Sequence, residues 1–304
     1  MKFAKNTVID HGLAIFTILV WGVTFISTKQ LSQSFSAMEI LFFRYFIAYI
    51  ALWVACPKAL KVKSLKEELY ILGAALSGAL VYQYLENLSV TYTNPASVCF
   101  ITALSPVFTA IFAYFFLREK VNAKLFIGMA ICLVGVFLVS FGDSMELETG
   151  LLGDVIIFCG VWLWAVYSIL VKKIDSFGYS GVLITRRIFF YAIMMMIPCM
   201  YLWGGEVSFN QFLEPKNCLN FVYLSLFASV LCYLSWNTAL KHIGAMATSA
   251  YIYVGPVVTV VLSVIILDEQ LTCWSFIGMA LTMAGLILSE WLNVRKLLIN
   301  ATEN

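Results

Sequence analysis

The sequence predicts an all-α polytopic membrane protein with ten transmembrane helices, arranged as two inverted repeats of five helices each. Its composition is the first indication, because 62% of the residues are hydrophobic, 12% are charged and the mean hydropathy is +0.92. Soluble domains are about half apolar and about a quarter charged. The 304 residues provide room for roughly ten spans of about 20 residues with short connections.

An internal repeat is the second indication. The string FIGMA at 126–130 reappears unchanged at 276–280, within a longer stretch that matches at an offset of 150. Nearer the start of each half the offset becomes 143. The matched residues include Asn87/Asn237, Pro106/Pro256, Trp21/Trp164, Lys29/Lys172 and Arg44/Arg187. The chain is therefore a duplication, with a first repeat at 10–142 and a second at 151–293.

The distribution of positive charge predicts the orientation. With a cytoplasmic N-terminus, fourteen lysines and arginines lie in the predicted cytoplasmic segments, and only Lys29 and Lys216 lie outside. The positive-inside rule favours this orientation and places both termini in the cytoplasm. Because each repeat has an odd number of helices, the second repeat enters the membrane from the opposite face. Inverted repeats of this kind are typical of secondary transporters.

Apolar runs separated by turn residues or charges predict the ten helices. In chain order they cover 12–31, 37–55, 69–91, 95–117, 124–142, 152–172, 179–202, 218–241, 246–267 and 274–293.

Helices one and six carry corresponding polar and aromatic residues. Trp21 and Thr24 belong to a stripe on helix one, and Trp164 and Tyr167 occupy the equivalent positions of helix six. Polar groups on membrane helices avoid lipid, and they either bridge helices or line water. We expect these four side chains to line a central cavity.

Helix two carries Arg44, and helix three carries Glu86 at a similar depth from the same side. Depths of about 10 Å make an ion pair feasible. Such a pair either locks the two helices together or, with Glu86 as a titratable group, couples proton movement to transport. The charge arrangement is not duplicated, because Trp236 stands where the second repeat would have the acid.

Helices three and eight repeat a pair of polar positions. Gln83 and Asn87 are four residues apart and therefore share one face of helix three, and Tyr233 and Asn237 are their counterparts on helix eight. We predict that all four line the cavity, although an asparagine that joins two helices is an ordinary alternative.

Helices four and nine each contain a central proline, Pro106 and Pro256. Each proline lacks an amide donor and frees the carbonyl four residues earlier, that of Thr102 or Ile252. A free carbonyl is best tolerated beside protein or a wet cavity. We therefore predict a midplane cavity that includes Thr102, with the prolines as hinges; the alternative is that they only bend helices to fit their neighbours.

Small residues mark helices five and ten, and a glutamate follows each of helices four and nine. Gly128 and Gly135, with their counterparts Gly278 and Gly285, predict close approach of another helix. Glu119 and Glu269 are expected to interact with helix ends.

These motifs together resemble the EamA-type branch of the drug/metabolite transporter superfamily. The residues that carry the resemblance are Trp21, Gly22, Lys29, Arg44, Pro106, Glu119, Gly128 and Gly135, with the second-half counterparts Trp164, Ala165, Arg187, Pro256, Glu269, Gly278 and Gly285. The resemblance implies that helices one, three, four, six, eight and nine surround a central cavity and that helices five and ten are peripheral. Glu86 is not part of the family's pattern.

The expected function is a secondary transporter that moves small metabolites by alternating access, most simply an exporter of amino acids or related compounds across the cytoplasmic membrane. Multidrug efflux and metabolite uptake are alternatives. An intramembrane enzyme is a different class, but the sequence shows no catalytic constellation, and both histidines are near helix ends. We expect no cofactor, metal or nucleic acid; the expected partners are a small-molecule substrate and membrane lipid, and the protein is expected to be a monomer or homodimer.

Overall fold

A computed structural model describes residues 2–93, 95–119, 123–141, 151–203, 209–258 and 273–289, and all the regular structure in these ranges is helical. The helices of the first half are α1 (Lys2–Leu31), α2 (Ala37–Ala55), α3 (65–92), α4 (95–117) and α5 (Ala123–Phe141). Those of the second half are α6 (Leu151–Asp175), α7 (Gly181–Trp203), α8 (Pro215–Ile243), α9 (Ala245–Val258) and α10 (Cys273–Ser289), with a four-residue helix at Phe209–Phe212 before α8.

The all-helical class is thus confirmed for the described residues, and most helix bounds lie close to the predicted ones. The helix predicted at 12–31 begins ten residues earlier, at Lys2. The last residues of the helices predicted at 246–267 and 274–293 lie outside the described residues.

Six helical segments of the described residues are long and apolar enough to cross a membrane. These are Val8–Leu31, Ala37–Ala55, Val98–Leu117, Leu151–Asp175, Gly181–Tyr201 and Pro215–Ile243. Shorter apolar helices lie at Ala123–Leu138, Ala245–Val258 and Phe276–Ser289.

The two proline helices are irregular at equivalent positions. A turn at 103–104 interrupts α4 just before Pro106, and a 3₁₀ turn at Tyr251–Tyr253 interrupts α9 just before Pro256. Both prolines are buried in the protein and do not face outwards. The irregularity therefore follows the repeat, since a proline cannot complete the preceding helical turn.

Wide π-helical turns occupy equivalent positions in α3 and α8, at Ala75–Tyr82 and Tyr223–Leu231. Close packing occurs here, because a Cβ added to Gly78 would lie 2.2 Å from the Tyr167 ring. The absence of a side chain at Gly78 therefore lets α6 lie directly against α3.

Helices α5 and α10 pack against each other along their glycines. A Cβ on Gly128 would lie 2.5 Å from the carbonyl oxygen of Gly285, and a Cβ on Gly285 would lie 2.6 Å from that of Gly128. The predicted close approach therefore takes place within one chain, between the last helices of the two halves.

Two lysines cap helix ends in an equivalent manner. Lys29 Nζ donates to the carbonyl oxygen of Val90 at the end of α3, at 2.8 Å. Lys172 Nζ donates to that of Leu240 at the end of α8, at 3.0 Å. Cations are favourable at helix C-termini, where carbonyl groups lack intrahelical donors.

Glu119 caps a helix of the other half. Its carboxylate accepts hydrogen bonds from the backbone amides of Ala245 at 3.0 Å and Met246 at 3.2 Å, the first residues of α9. An acid at a helix N-terminus satisfies amides that have no intrahelical acceptor. Its counterpart Glu269 lies outside the described residues.

Candidate functional site

A cavity of about 60 Å³ lies between the two halves of the chain. Its walls come from α1, α2, α3, α4, α6 and α9. The lining residues are Ile18, Trp21, Gly22, Thr24, Phe25, Arg44, Tyr82, Gln83, Glu86, Cys99, Thr102, Trp164, Ile252 and Gly255. A space of this size holds a few water molecules.

Seven of the residues predicted from the sequence lie in this lining. They are Trp21, Thr24, Arg44, Gln83, Glu86, Thr102 and Trp164. They come from five helices and from both repeats, so the fold brings together residues that are far apart in the sequence.

Arg44 is held in place by neutral acceptors from both halves. Its Nε donates to Ser229 Oγ on α8 at 2.6 Å, and its Nη1 donates to Gln83 Oε1 on α3 at 2.8 Å. The side chain of Ser229 in turn donates to the carbonyl oxygen of Leu224 at 2.8 Å. With only 2% of Arg44 exposed, these bonds fix the guanidinium in the cavity wall.

The expected ion pair between Arg44 and Glu86 is not formed. The side-chain ion pairs among the described residues join Arg187 to Glu68, Lys241 to Asp175 and His242 to Asp10. Gln83 and Ser229 satisfy the guanidinium instead. Arg44 and Glu86 therefore face the same cavity without a direct ion pair.

Glu86 lies among polar groups of α3 and α4. Its carboxylate interacts with the hydroxyl of Tyr82, one helical turn earlier, and that hydroxyl also interacts with Thr102. The side chain is partly exposed because it borders the cavity. When ionised, this carboxyl group attracts positive charge into the space between the helices.

Aromatic rings form another part of the lining. The Trp21 and Trp164 rings meet edge to face with centroids 5.4 Å apart, and Tyr82 lies 4.9 Å from Trp164. Trp21 Nε1 donates to the carbonyl oxygen of Ala228 at 3.0 Å. The Trp164 indole N–H is buried and has no hydrogen-bond partner among the described residues.

Four predicted site residues lie outside this lining and join helices. They are Asn87, Tyr167, Tyr233 and Asn237, none of which lines the cavity. Asn237 accepts a hydrogen bond from the Tyr167 hydroxyl at 3.0 Å and donates one to Thr185 Oγ1 at 3.3 Å.

The other two residues also bond neighbouring helices. Asn87 Nδ2 donates to the carbonyl oxygen of Ala37 at 3.5 Å. Tyr233 shares a 2.7 Å hydrogen bond with Tyr45. This geometry corresponds to the bridging alternative.

Several lining residues were not predicted as site residues from the sequence, among them Tyr82 and Gly22. Tyr82 is four residues before Glu86, a spacing that puts both on one helix face and was available in the sequence. Gly22 allows α9 to approach α1, since a Cβ there would lie 2.7 Å from Val258. Apart from Ile252, whose carbonyl Pro256 frees, no sequence signal distinguishes the remaining apolar lining residues from ordinary membrane positions.

The irregular turns before the prolines lie beside the cavity. Thr102 and Ile252, whose carbonyls the prolines free, both line it. Whether the prolines act as hinges stays a prediction.

A known family matches both halves of the chain. The model of the EamA-like transporter family matches residues 11–141 and again residues 151–291.

Relatives of similar length come from archaea and bacteria. An uncharacterized transporter of Archaeoglobus fulgidus is 26% identical over 92% of this chain and 96% of its own length. The uncharacterized transporter YyaM of Bacillus subtilis is 27% identical over 94% of each chain. A protein of Escherichia coli named "Probable amino-acid metabolite efflux pump" is 24% identical over 92% of this chain and 94% of its own.

A solved crystal structure has the same fold. It superposes with a TM-score of 0.73 and covers 93% of this chain and 96% of its own, with 16% of residues identical.

Proposed function

This chain belongs to the EamA-like transporter family, and on that premise we propose that it is a secondary transporter that exports amino acids or related small metabolites by alternating access. Family membership and six apolar helices long enough to cross a bilayer make it a multi-pass membrane protein. The name of the Escherichia coli relative supports amino-acid metabolites as the substrate class and efflux as the direction.

The proposed topology has ten membrane crossings, two inverted repeats at 10–142 and 151–293, and both termini in the cytoplasm. The two family matches support the repeat bounds, and the excess of positive charge in the predicted inside segments supports the orientation. The linkers after α2 and α6 meet, since the backbone amide of Lys63 donates to the Tyr179 hydroxyl at 2.9 Å. Prokaryotic relatives support the cytoplasmic membrane as the location.

The observation that carries the substrate class is the pair of opposite charges, Arg44 and Glu86, in one aromatic cavity. A zwitterionic amino acid presents a carboxylate and an ammonium group on one carbon. Arg44 suits the carboxylate and Glu86 suits the ammonium group. The rings of Trp21 and Trp164 would then contact the apolar side chain of the substrate.

Alternating access is supported by the size of the cavity and by the proline helices. A space of about 60 Å³ opens to a larger ligand only if the surrounding helices move apart. The turns before Pro106 and Pro256 lie beside this space in both halves, where bending would change its access.

Counterflow of radiolabelled amino acids in proteoliposomes tests this proposal. We expect wild-type protein to accumulate label, and Glu86→Gln to lower the initial rate by about tenfold or more, since it removes a charged partner of the substrate. Glu214→Gln is the control, because this exposed acid lies at the start of α8, away from the cavity.

The alternative function is efflux of cationic drugs. The rings of Trp21 and Trp164 would bind a cation through cation–π contact, and the Glu86 carboxylate would attract it by its charge. Accumulation of a cationic dye without counterflow of any amino acid would replace amino acids by drugs as the substrate. Equal rates for Glu86→Gln and wild type would show that Glu86 does not contact the substrate.

A further inference from the structure

A second pocket, of about 100 Å³, lies apart from the transport cavity, between α2 and α7 and beside the linker that follows α2. Its lining residues are Tyr49, Trp53, Ala59, Leu60, Leu183, Arg186, Arg187 and Phe190. The proposed transport cycle makes no use of these residues.

Arg186 fixes the shape of this pocket. Only 4% of its surface is exposed, and its guanidinium donates to the carbonyl oxygens of Cys56 and Lys58. The same group lies over the Trp53 ring, 3.9 Å from its centroid. Because Arg186 has no carboxylate partner among the described residues, its positive charge remains in the pocket.

Arg187 supplies a second, more accessible positive charge. Its Nε donates to Glu68 Oε1 at 2.8 Å, yet 35% of its side chain stays exposed. That single carboxylate also accepts a hydrogen bond from Tyr191. Arg187 is the repeat counterpart of Arg44, but it faces this pocket instead of the central cavity.

The neighbouring linker and the first turn of α3 add further positive charge. Four exposed lysines follow α2, and none forms an ion pair within the described ranges: Lys58, Lys61, Lys63 and Lys66. With Arg186 and Arg187 they make six cationic groups against the two acids Glu67 and Glu68, which leaves a formal charge of +4.

An apolar helix face continues from this charged site. Phe46, Ile50 and Val54 of α2 are 43%, 46% and 79% exposed, as expected for residues that contact acyl chains. Trp53, 37% exposed, is of the type that collects at the boundary between lipid and water.

From this arrangement we propose that the pocket binds the phosphate headgroup of an anionic phospholipid of the cytoplasmic leaflet. Arg187 and the linker lysines would contact the phosphate, the aromatic walls would contact the glycerol region, and the acyl chains would lie along the outer face of α2. Basic pockets between membrane helices on the cytoplasmic side attract such headgroups. The assignment to this leaflet rests on the proposed topology, but the binding chemistry does not depend on transport.

Native mass spectrometry of the full-length protein, released from detergent micelles, tests the site. The probes are phosphatidylglycerol and phosphatidylcholine at equal concentrations. We expect phosphatidylglycerol to bind more tightly, and Arg187→Gln to weaken it by about fivefold, the factor expected for one basic group at an anionic surface. Arg187→Lys should retain most of the binding.

Lys241→Gln is the matched control, because Lys241 is also an exposed cation paired with one carboxylate, Asp175, but lies outside the pocket. It should leave lipid binding unchanged. If Arg187→Gln fails to fold, the double variant Lys58→Gln/Lys61→Gln takes its place with the same expected direction.

Three results would overturn the proposal. Equal binding of the two lipids would show that charge does not select the ligand. An equal loss in Lys241→Gln and Arg187→Gln would show general electrostatic attraction without a site. Inorganic phosphate that displaces phosphatidylglycerol at equal concentration would identify a soluble phosphate, rather than a lipid, as the ligand.

Discussion

Arg44 connects the two halves of the protein through a single side chain. Its guanidinium bonds Gln83 of the first repeat and Ser229 of the second, in nearly complete burial. We expect Arg44→Gln to lower the free energy of unfolding by roughly 1.5–3 kcal/mol, the range for hydrogen bonds to a charged group. Thermal unfolding in detergent measures the change.

Arg44→Lys is expected to give an intermediate loss, because a lysine keeps the charge but lacks the planar group that reaches both acceptors. Arg118→Gln serves as the control, since Arg118 is exposed and no hydrogen bond from its side chain is seen within the described residues. Identical melting of Arg44→Gln and wild type would mean that the two bonds are replaced by water without cost.

At the residue scale, the positions of side chains in the cavity could be predicted only for charged or polar residues within apolar helices. Charged and polar residues such as Arg44 and Glu86 stand out in an apolar helix, and both line the cavity. The repeat misled at Tyr233, which occupies the position of Gln83 but packs on Tyr45 and Phe189 instead. The duplication preserves the backbone, whereas the direction of each side chain depends on neighbours that have diverged.

Among the helices, α5 and α10 are in direct backbone contact and leave little room for a larger side chain. Gly285→Ala would place a methyl group 2.6 Å from a backbone oxygen of Gly128, so the helices must separate. We expect a loss of roughly 1–3 kcal/mol, typical of overpacking, measured as a lower melting temperature. Gly12→Ala in α1 is the control, because nothing lies within 4 Å of its added Cβ. Equal melting of the two variants would contradict direct backbone contact.

The irregular turn in α4 yields a kinetic prediction. Pro106→Ala restores an amide that can bond the carbonyl of Thr102 and so straighten the helix. We expect substrate affinity to be retained and the counterflow rate to fall about tenfold, as for a motion that limits turnover. Pro198→Ala is the control, because Pro198 lies inside α7 but is exposed and has no counterpart in the first repeat. A rate unchanged by Pro106→Ala would argue that the proline only shapes the helix.

The helices were predictable because a long run of apolar residues is a strong signal for a membrane helix. The helix predicted at 37–55 has the same bounds in the structure, as α2. The π-helical turns of α3 and α8 were not predictable, since they depend on packing such as that of Gly78 against Tyr167. The interaction of Glu119 with a helix end was predicted, but not that this end is the start of α9, since the contact joins residues more than a hundred positions apart.

At the scale of the whole molecule, both halves contain the same contact between a lysine and the C-terminal end of a helix. Lys29 bonds the end of α3, and Lys172 bonds the end of α8. In an inverted arrangement these two equivalent contacts lie at opposite faces of the membrane. Each half therefore has one lysine contact that joins its first and third helices, and in the proposed topology the two contacts lie on opposite sides of the membrane.

Labelling with a membrane-impermeant thiol reagent tests this topology in intact cells. In a background without other reactive cysteines, we expect Gln33→Cys to react from outside, and Lys61→Cys and Ser180→Cys to react only after the cells are opened. All three positions are exposed linker residues, so access to the reagent should depend on side alone. Reaction of Lys61→Cys in intact cells, with Gln33→Cys protected, would reverse the orientation; labelling of all three from one side would exclude the inverted arrangement.

The glycine contact between α5 and α10 has a mechanical consequence for the whole transporter. Two backbones that already touch cannot move closer, and pulling them apart would open a gap along their length. The final helices of the two halves can therefore rotate against one another more easily than they can separate. In the proposed alternating-access cycle, we expect this line of contact to be the axis about which the two halves tilt.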